Sequence, residues 1–279
     1  MTPWTDETCI ATDGYRWHFR RYRPEQAPLA EVVCLHGIQS HAGWYEHSCQ
    51  GLASAGFAVS FLERRGSGQN QERRGDAPSF RRLLDDIAEY LHSLRSSHPA
   101  RRTFLLGISW GGKLAVALQR RHPGLTDGLL LLCPGFFPQV KPSFRTRLAI
   151  LWARLTRPSR MFPIPLDEPE LFTATPRWLQ FLRDDPLSLH HASARFFVES
   201  VRLDYYLRWV PKYVTMPTLL LLGGRDRIIN NEQTLAYIER FAGPKAVIDY
   251  PEAHHTLEFE PEPSGFLNDM LKWLTAISA

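Results

Sequence analysis

Long apolar runs are missing from this chain. No stretch approaches the roughly 18 uninterrupted apolar residues that cross a bilayer, so no transmembrane helix is expected. The opening residues, Met1-Thr2-Pro3-Trp4-Thr5-Asp6-Glu7, contain no apolar signal core. Cysteine is scarce as well: Cys9, Cys34, Cys49 and Cys133 are the four in 279 residues, with no C-x-x-C spacing among them. Cys34 and Cys133 lie in apolar strand-like runs and read as small core residues. There is no internal repeat and no low-complexity tract. Charge of one sign is not in large excess either, since 33 Lys and Arg face 29 Asp and Glu, a formal net charge of +4. That balance does not argue for nucleic acid; it is compatible with an anionic substrate or an anionic membrane surface. A reduced, soluble, cytoplasmic protein is expected.

What is present is ordinary for an enzyme: 44% hydrophobic and 22% charged residues, in a length that suits one large α/β domain or a domain with an insertion. Asp13-Gly14 between two strand-like segments predicts a two-residue hairpin turn. Apolar strands are expected at 31–35, 57–62 and 103–106, alternating with helices at 44–55 and 79–95, then a further strand at 128–133. Such alternation argues for a mostly parallel sheet covered by helices on both faces. The rhythm breaks at Pro134-Gly135. From 136 to 211 the chain is rich in proline, aromatics and arginine, with helix-like pieces and no convincing strand, and a helical insertion is expected there. Strand rhythm returns at 217–223 and 246–250, with helices at 232–241 and 265–277. The expected core is therefore 1–135 with 212–279.

One stretch carries chemistry on its own: Gly107-Ile108-Ser109-Trp110-Gly111, with Gly112 after it. It leaves a strand and opens a helix, the context that makes G-x-S-x-G a nucleophile elbow. A serine on such a strained turn leaves no room for side chains two residues to either side. A helix N-terminus beneath it favours developing negative charge. The serine needs a base and the base needs a carboxylate, in the chain order Ser, Asp or Glu, His. Asp226, in Gly223-Gly224-Arg225-Asp226, follows the strand at 217–223; His254 and His255 follow the strand at 246–250. Spacing alone does not separate the two histidines. A metal reading of His254-His255 or His190-His191 is weak, because chain neighbours rarely converge on one ion. Neither metal nor cofactor is implied. The oxyanion of an acyl-transfer intermediate needs backbone donors, expected from the N–H groups of Trp110 and Ile38. His36 is read as a structural residue beneath that loop rather than as a base.

These residues resemble the α/β-hydrolase fold, and within it the monoacylglycerol lipase and lysophospholipase branch of serine hydrolases. The resemblance spans nearly the whole chain. It is carried by His36-Gly37-Ile38-Gln39-Ser40-His41 with Trp44-Tyr45 after it, by Glu63-Arg64-Arg65-Gly66-Ser67-Gly68, by Gly223 to Asp226, and by Ala253, His255, Leu257 and Glu260. The last register favours His255 over His254. The resemblance implies a helical cap at 136–211 and carboxylic ester hydrolysis of monoacylglycerol- or lysophospholipid-like substrates through Ser109, Asp226 and His255. The elbow departs from the branch at Ile108 and Trp110, and Glu63 stands where aspartate is usual. A tryptophan after the serine also occurs in proline iminopeptidases, so an amidase or aminopeptidase with the same three residues is an alternative. A hydrolase-like binding protein without turnover is another. In 141–160, Phe144, Leu148, Leu151 and Leu155 fall at helical spacing among five arginines. Packing on the core is the expected fate of that stripe; an interfacial helix that contacts membranes is the alternative. The aromatics Phe172, Trp178, Phe181, Phe196, Phe197, Tyr205, Tyr206 and Trp209 line a tunnel or form the cap's own core.

Overall fold

In a computed structural model describing residues 4–278, the chain opens with an antiparallel hairpin of β1 (Trp4–Ile10) and β2 (Arg16–Tyr22). Met1–Pro3 and Ala279, at the two ends of the expected core, lie outside the described residues. The hairpin loop is one residue longer than predicted. Ala11 N–H reaches the Tyr15 carbonyl at 2.9 Å and leaves Thr12-Asp13-Gly14 in the loop, with Gly14 at φ 83°. A left-handed glycine closing a turn gives this three-residue solution.

The chain continues through β3 (Glu31–Leu35), α1 (Glu46–Ser54), β4 (Ala58–Leu62), α2 (Phe80–Ser97), β5 (Thr103–Ile108), α3 (Trp110–Arg121) and β6 (Gly128–Leu132). It then leaves the sheet for α4 (Phe144–Thr156), β7 (Met161–Pro163), α5 (Pro176–Asp184), β8 (His191–Ser193) and α6 (Ala194–Leu207). It returns as β9 (Thr218–Gly223), α7 (Asn231–Ile238), β10 (Lys245–Tyr250) and α8 (Ser264–Ser278). The eight-stranded sheet has the order β1-β2-β4-β3-β5-β6-β9-β10. It is parallel from β4 onward, and β2 is antiparallel to both neighbours. Every residue of β3, β4, β5, β6 and β9 is buried, which is why these strands read as continuous apolar runs rather than alternations. β10, at the edge, alternates exposed with half-buried positions. α1 packs with α8, and α2 with α3, as a sheet apolar on both faces requires. Truncating a central residue such as Leu105 or Leu130 to alanine would cost about 2–5 kcal/mol.

The excursion between β6 and β9 differs from the sequence reading in two respects. It contains a short antiparallel ribbon, β7 with β8, pairing Met161 with Ser193 and Pro163 with His191. Three-residue strands have no period to read, and this ribbon is fixed by tertiary contacts such as Ser193 N–H to the Gly75 carbonyl at 2.9 Å. The second difference is α4. Its stripe does not pack on the core: Phe144 is 66% exposed and Leu155 is 81% exposed. Ile150 and Ala153 face inward instead, against Phe162 and Ala194.

Candidate active site

The site grows from the turn between β5 and α3. Ser109 is held at φ 49° and ψ −121°, a sparsely populated conformation that costs roughly 1–3 kcal/mol for a residue with a side chain. The surroundings enforce it. A Cβ on Gly107 would lie 2.7 Å from the Gly112 Cα, and one on Gly111 would lie 2.3 Å from the Leu35 carbonyl oxygen. Only glycine lets β5 enter the turn and α3 leave it this tightly.

The loops after β9 and β10 bring their side chains to this turn. His255 Nε2 lies 2.9 Å from Ser109 Oγ, and His255 Nδ1 lies 2.6 Å from Asp226 Oδ2. The other carboxylate oxygen, Oδ1, accepts the N–H groups of Ile228 at 2.7 Å and Ile229 at 3.1 Å, so the acid is gripped from both sides. With Nδ1–H given to the carboxylate, Nε2 is left to accept the serine hydroxyl. His254 faces elsewhere: its N–H and Nδ1 both meet Glu260 Oε1, at 2.7 and 3.0 Å. Of the two adjacent histidines, His255 is the one whose side chain meets Ser109.

Ile38 and Trp110 both line the same cavity as Ser109. Among the described residues, neither backbone N–H has a protein acceptor. The loop carrying Ile38 approaches the elbow closely, since a Cβ on Gly37 would lie 3.2 Å from the Ser109 Cβ. The peptide joining Ser109 to Trp110 is fixed at its carbonyl end, where the Ser109 oxygen accepts Gly112 N–H at 2.9 Å and Gly135 N–H at 2.8 Å. The Trp110 indole N–H donates to Ser200 Oγ at 2.9 Å and so ties the elbow to α6. His36 is buried and neutral. Burial and the neighbouring Arg64 charge pull its pKa well below the usual histidine range. Its Nε2 accepts Arg64 N–H at 3.0 Å, and its Nδ1–H donates to the Gly37 carbonyl at 2.7 Å.

One neighbour carries no signal in the sequence beyond an apolar run. Cys133, at φ 41° just past β6, places its Sγ within 4.8 Å of the Asp226 and His255 ligand atoms. That trio does not suit a metal. Burial, and then the Asp226 charge, push the metal-free thiol well above its ordinary range. The 2.6 Å between Nδ1 and Oδ2 is also shorter than the roughly 3.3 Å that an ion bound tetrahedrally at about 2.0 Å to each would need.

Above Ser109 opens a cavity of about 490 Å³ with a wall that includes Ile38, Ile150, Ile164, Phe197, Val198 and Ile229. Its charged part is the Lys113–Asp204 pair at 2.6 Å, with Lys141 and Arg147 nearby on the wall. The aromatics of the excursion divide between the two expectations. Phe197 lines the cavity, and Phe172 lies edge-on to His255 at 6.1 Å. Trp178 and Phe181 pack on Phe259, Phe196 on Trp110 and Tyr206 on Phe80. Tyr205 and Trp209 are exposed.

A mostly parallel sheet with helices on its faces, and a serine on a glycine-bounded turn beneath an apolar cavity, define an α/β-hydrolase. The chain belongs to the family described as serine aminopeptidase, S33, whose model matches residues 26–262. It is 24% identical to the monoacylglycerol lipase of Mycolicibacterium smegmatis over 98% of this chain and 97% of that protein. It is 25% identical to the monoglyceride lipase of Homo sapiens, over 97% of this chain and 90% of that protein. The crystal structure of the Paleococcus ferrophilus monoacylglycerol lipase superposes with a TM-score of 0.81 at 23% identity, covering 93% of this chain and 99% of that one.

Proposed function

We propose that this protein hydrolyses carboxylic esters of single-chain acyl lipids, monoacylglycerol- or lysophospholipid-like, through an acyl-enzyme on Ser109. The observation that carries the reading is the continuous line of hydrogen bonds from Ser109 Oγ through His255 to Asp226 at the floor of an apolar cavity. His255 Nε2 takes the serine proton as Oγ attacks the ester carbon, then gives it to the leaving alkoxide; water repeats the cycle and releases the acid. Asp226 holds the imidazole in the required tautomer and stabilises the imidazolium. The Ile38 and Trp110 N–H groups receive the oxyanion.

In this reading residues 136–211 act as a cap whose inner side supplies the acyl pocket. The outer side of α4 contacts membranes: Phe144, Leu148, Trp152 and Leu155 are more than half exposed, and Arg145, Arg157 and Arg160 are exposed near them. No helix among the described residues is long and apolar enough to cross a membrane, so such contact would be peripheral.

Aminopeptidase activity is the rival, raised by Trp110 and by the family's description. A substrate ammonium would need an acidic anchor. The carboxylate lining the cavity, Asp204, is already paired with Lys113, and Lys141 and Arg147 add positive charge. That electrostatic setting supports an ester rather than an amine-bearing peptide. A binding protein without turnover would not need the full hydrogen-bonded set. The test is hydrolysis of an acyl-ester series from acetyl to long chains, beside a proline amide, by wild type and Ser109→Ala. Turnover of the amide above the esters, or activity surviving in Ser109→Ala, would overturn the reading.

A further inference from the structure

Two consecutive arginines follow β4, and they are treated in opposite ways. Arg65 has two carboxylate partners, Asp13 at 2.9 Å and Asp86 at 2.6 Å. Arg64 is equally withdrawn from solvent, yet among the described residues no acid pairs with it. Its guanidinium donates to two backbone carbonyls, Gly37 at 3.2 Å through Nη1 and Ile38 at 2.9 Å through Nη2, with Ser67 Oγ at 3.4 Å. Its Nε has no hydrogen-bond partner among the described residues. It lies over the Trp110 ring at 5.0 Å and the Phe196 ring at 5.2 Å.

The carbonyl that Arg64 holds belongs to the same peptide unit as the Ile38 N–H. A peptide is planar, so fixing the Gly37 oxygen fixes the direction of the Ile38 N–H at its other end. The Gly37 oxygen has two donors, His36 Nδ1 at 2.7 Å and Arg64, just as the Ser109 oxygen has Gly112 and Gly135. Hydrogen bonds to a carbonyl polarise the amide and strengthen its N–H as a donor. Fastening alone would be served by a neutral donor. A buried cation without a counter-charge is destabilising in the resting protein, and it is stabilised when a negative charge forms nearby.

We propose that Arg64 is a positioning residue for the oxyanion: it aims and polarises the Gly37–Ile38 peptide, and its unpaired charge favours the tetrahedral intermediate over bound substrate. The proposal rests on the acyl-transfer reading above. It predicts a loss confined to the transition state.

The test compares wild type with Arg64→Lys, Arg64→Gln and Arg64→Met on one acyl ester. It adds inhibition by a trifluoromethyl ketone, which forms a tetrahedral oxyanion with the serine, and by an unreactive ether analogue of the ester. Turnover by wild type and its loss in Ser109→Ala come first; if either fails, the acyl-transfer reading falls rather than this one. Arg64→Met and Arg64→Gln are expected to lower kcat about tenfold to hundredfold, less than the 10²–10³ for deleting a direct donor. The ketone should weaken by the same factor, with KM and ether affinity nearly unchanged and Arg64→Lys recovering part of the loss. Wild-type kcat and ketone affinity in a folded Arg64→Gln would overturn the proposal. So would a loss spread equally over KM and ether binding. Thermal midpoints identify any variant that does not fold, and the charge-keeping and neutral-donor variants then decide between them.

Discussion

His41 Nε2 lies 2.9 Å from an Asp185 carboxylate oxygen, and the two residues are 144 apart in sequence. His41 sits on the loop after β3, beside the Ile38 donor, whereas Asp185 directly follows α5 in the excursion from the sheet. The same oxygen accepts the Trp44 indole at 2.7 Å and Ser188 Oγ at 2.7 Å. Burial would raise the Asp185 pKa, but the bonds from His41, Ser188 and Trp44 outweigh it and hold the carboxyl well below its usual range. Asp185→Ala leaves three buried donors without an acceptor. It should cost about 3–5 kcal/mol in chemical denaturation, and Asp185→Asn, which keeps one acceptor oxygen, should cost less.

Ser109, Asp226 and the two adjacent histidines have separable signatures. Ser109→Ala should abolish both ester turnover and labelling by a fluorophosphonate, with an unchanged thermal midpoint. Asp226→Asn loses the acceptor for Nδ1–H and favours the wrong tautomer, and kcat should fall by about 10⁴-fold. His254→Ala should leave kcat within a few-fold of wild type, since His254 is bonded to Glu260. A large loss there, with His255→Ala tolerated, would reverse the assignment.

In the proposed reaction the cavity above Ser109 takes the acyl chain, and its volume then sets acyl length. Val198→Trp fills part of the wall around the apolar cavity. If that excludes about three methylenes, each worth about 0.8 kcal/mol, kcat/KM on long-chain esters should drop about 50-fold. Acetyl ester turnover should hardly change, and an equal loss on both would mean that the chain binds elsewhere.

Trp152 is 67% exposed on α4, clear of the cavity wall. Trp152→Glu together with Leu155→Glu removes apolar burial worth about 1.5–3 kcal/mol per side chain. Co-sedimentation with anionic vesicles should weaken at least about tenfold, while turnover of a water-soluble short ester persists. Unaltered sedimentation would leave the α4 stripe without a membrane role.

Glu258 gives a pH signature to stability. Burial pushes its carboxyl up to about 7 despite hydrogen bonds from Ser48, whose N–H lies 3.0 Å away. A carboxyl raised in the folded state contributes stability that is complete below its unfolded value near 4.5 and is lost as pH rises through about 7. The size is about 3 kcal/mol. The thermal midpoint of wild type should therefore decline between pH 5 and 8. Glu258→Gln, which cannot ionise, should lack that slope, and an identical slope in both would remove Glu258 as its source.

The sequence by itself determined the parts that depend on local pattern. Buried parallel strands must be apolar throughout, so β3 to β6 and β9 were legible as runs. The elbow was legible because close backbone approach admits only glycine at Gly107 and Gly111. Asp226 followed from its place after a strand. Tertiary structure decided what depends on direction rather than position. Spacing after the strand could not tell His254 from His255; the family register of Ala253, His255 and Leu257 favoured His255, and only the fold shows its Nε2 meeting Ser109. The α4 stripe had the correct period, but which face a helix buries is set by its neighbour α6. The bonds from His41 to Asp185 and from Arg64 to the Gly37 carbonyl join residues with no shared pattern. A lone acid or an arginine after a strand looks solvated until the chain folds around it.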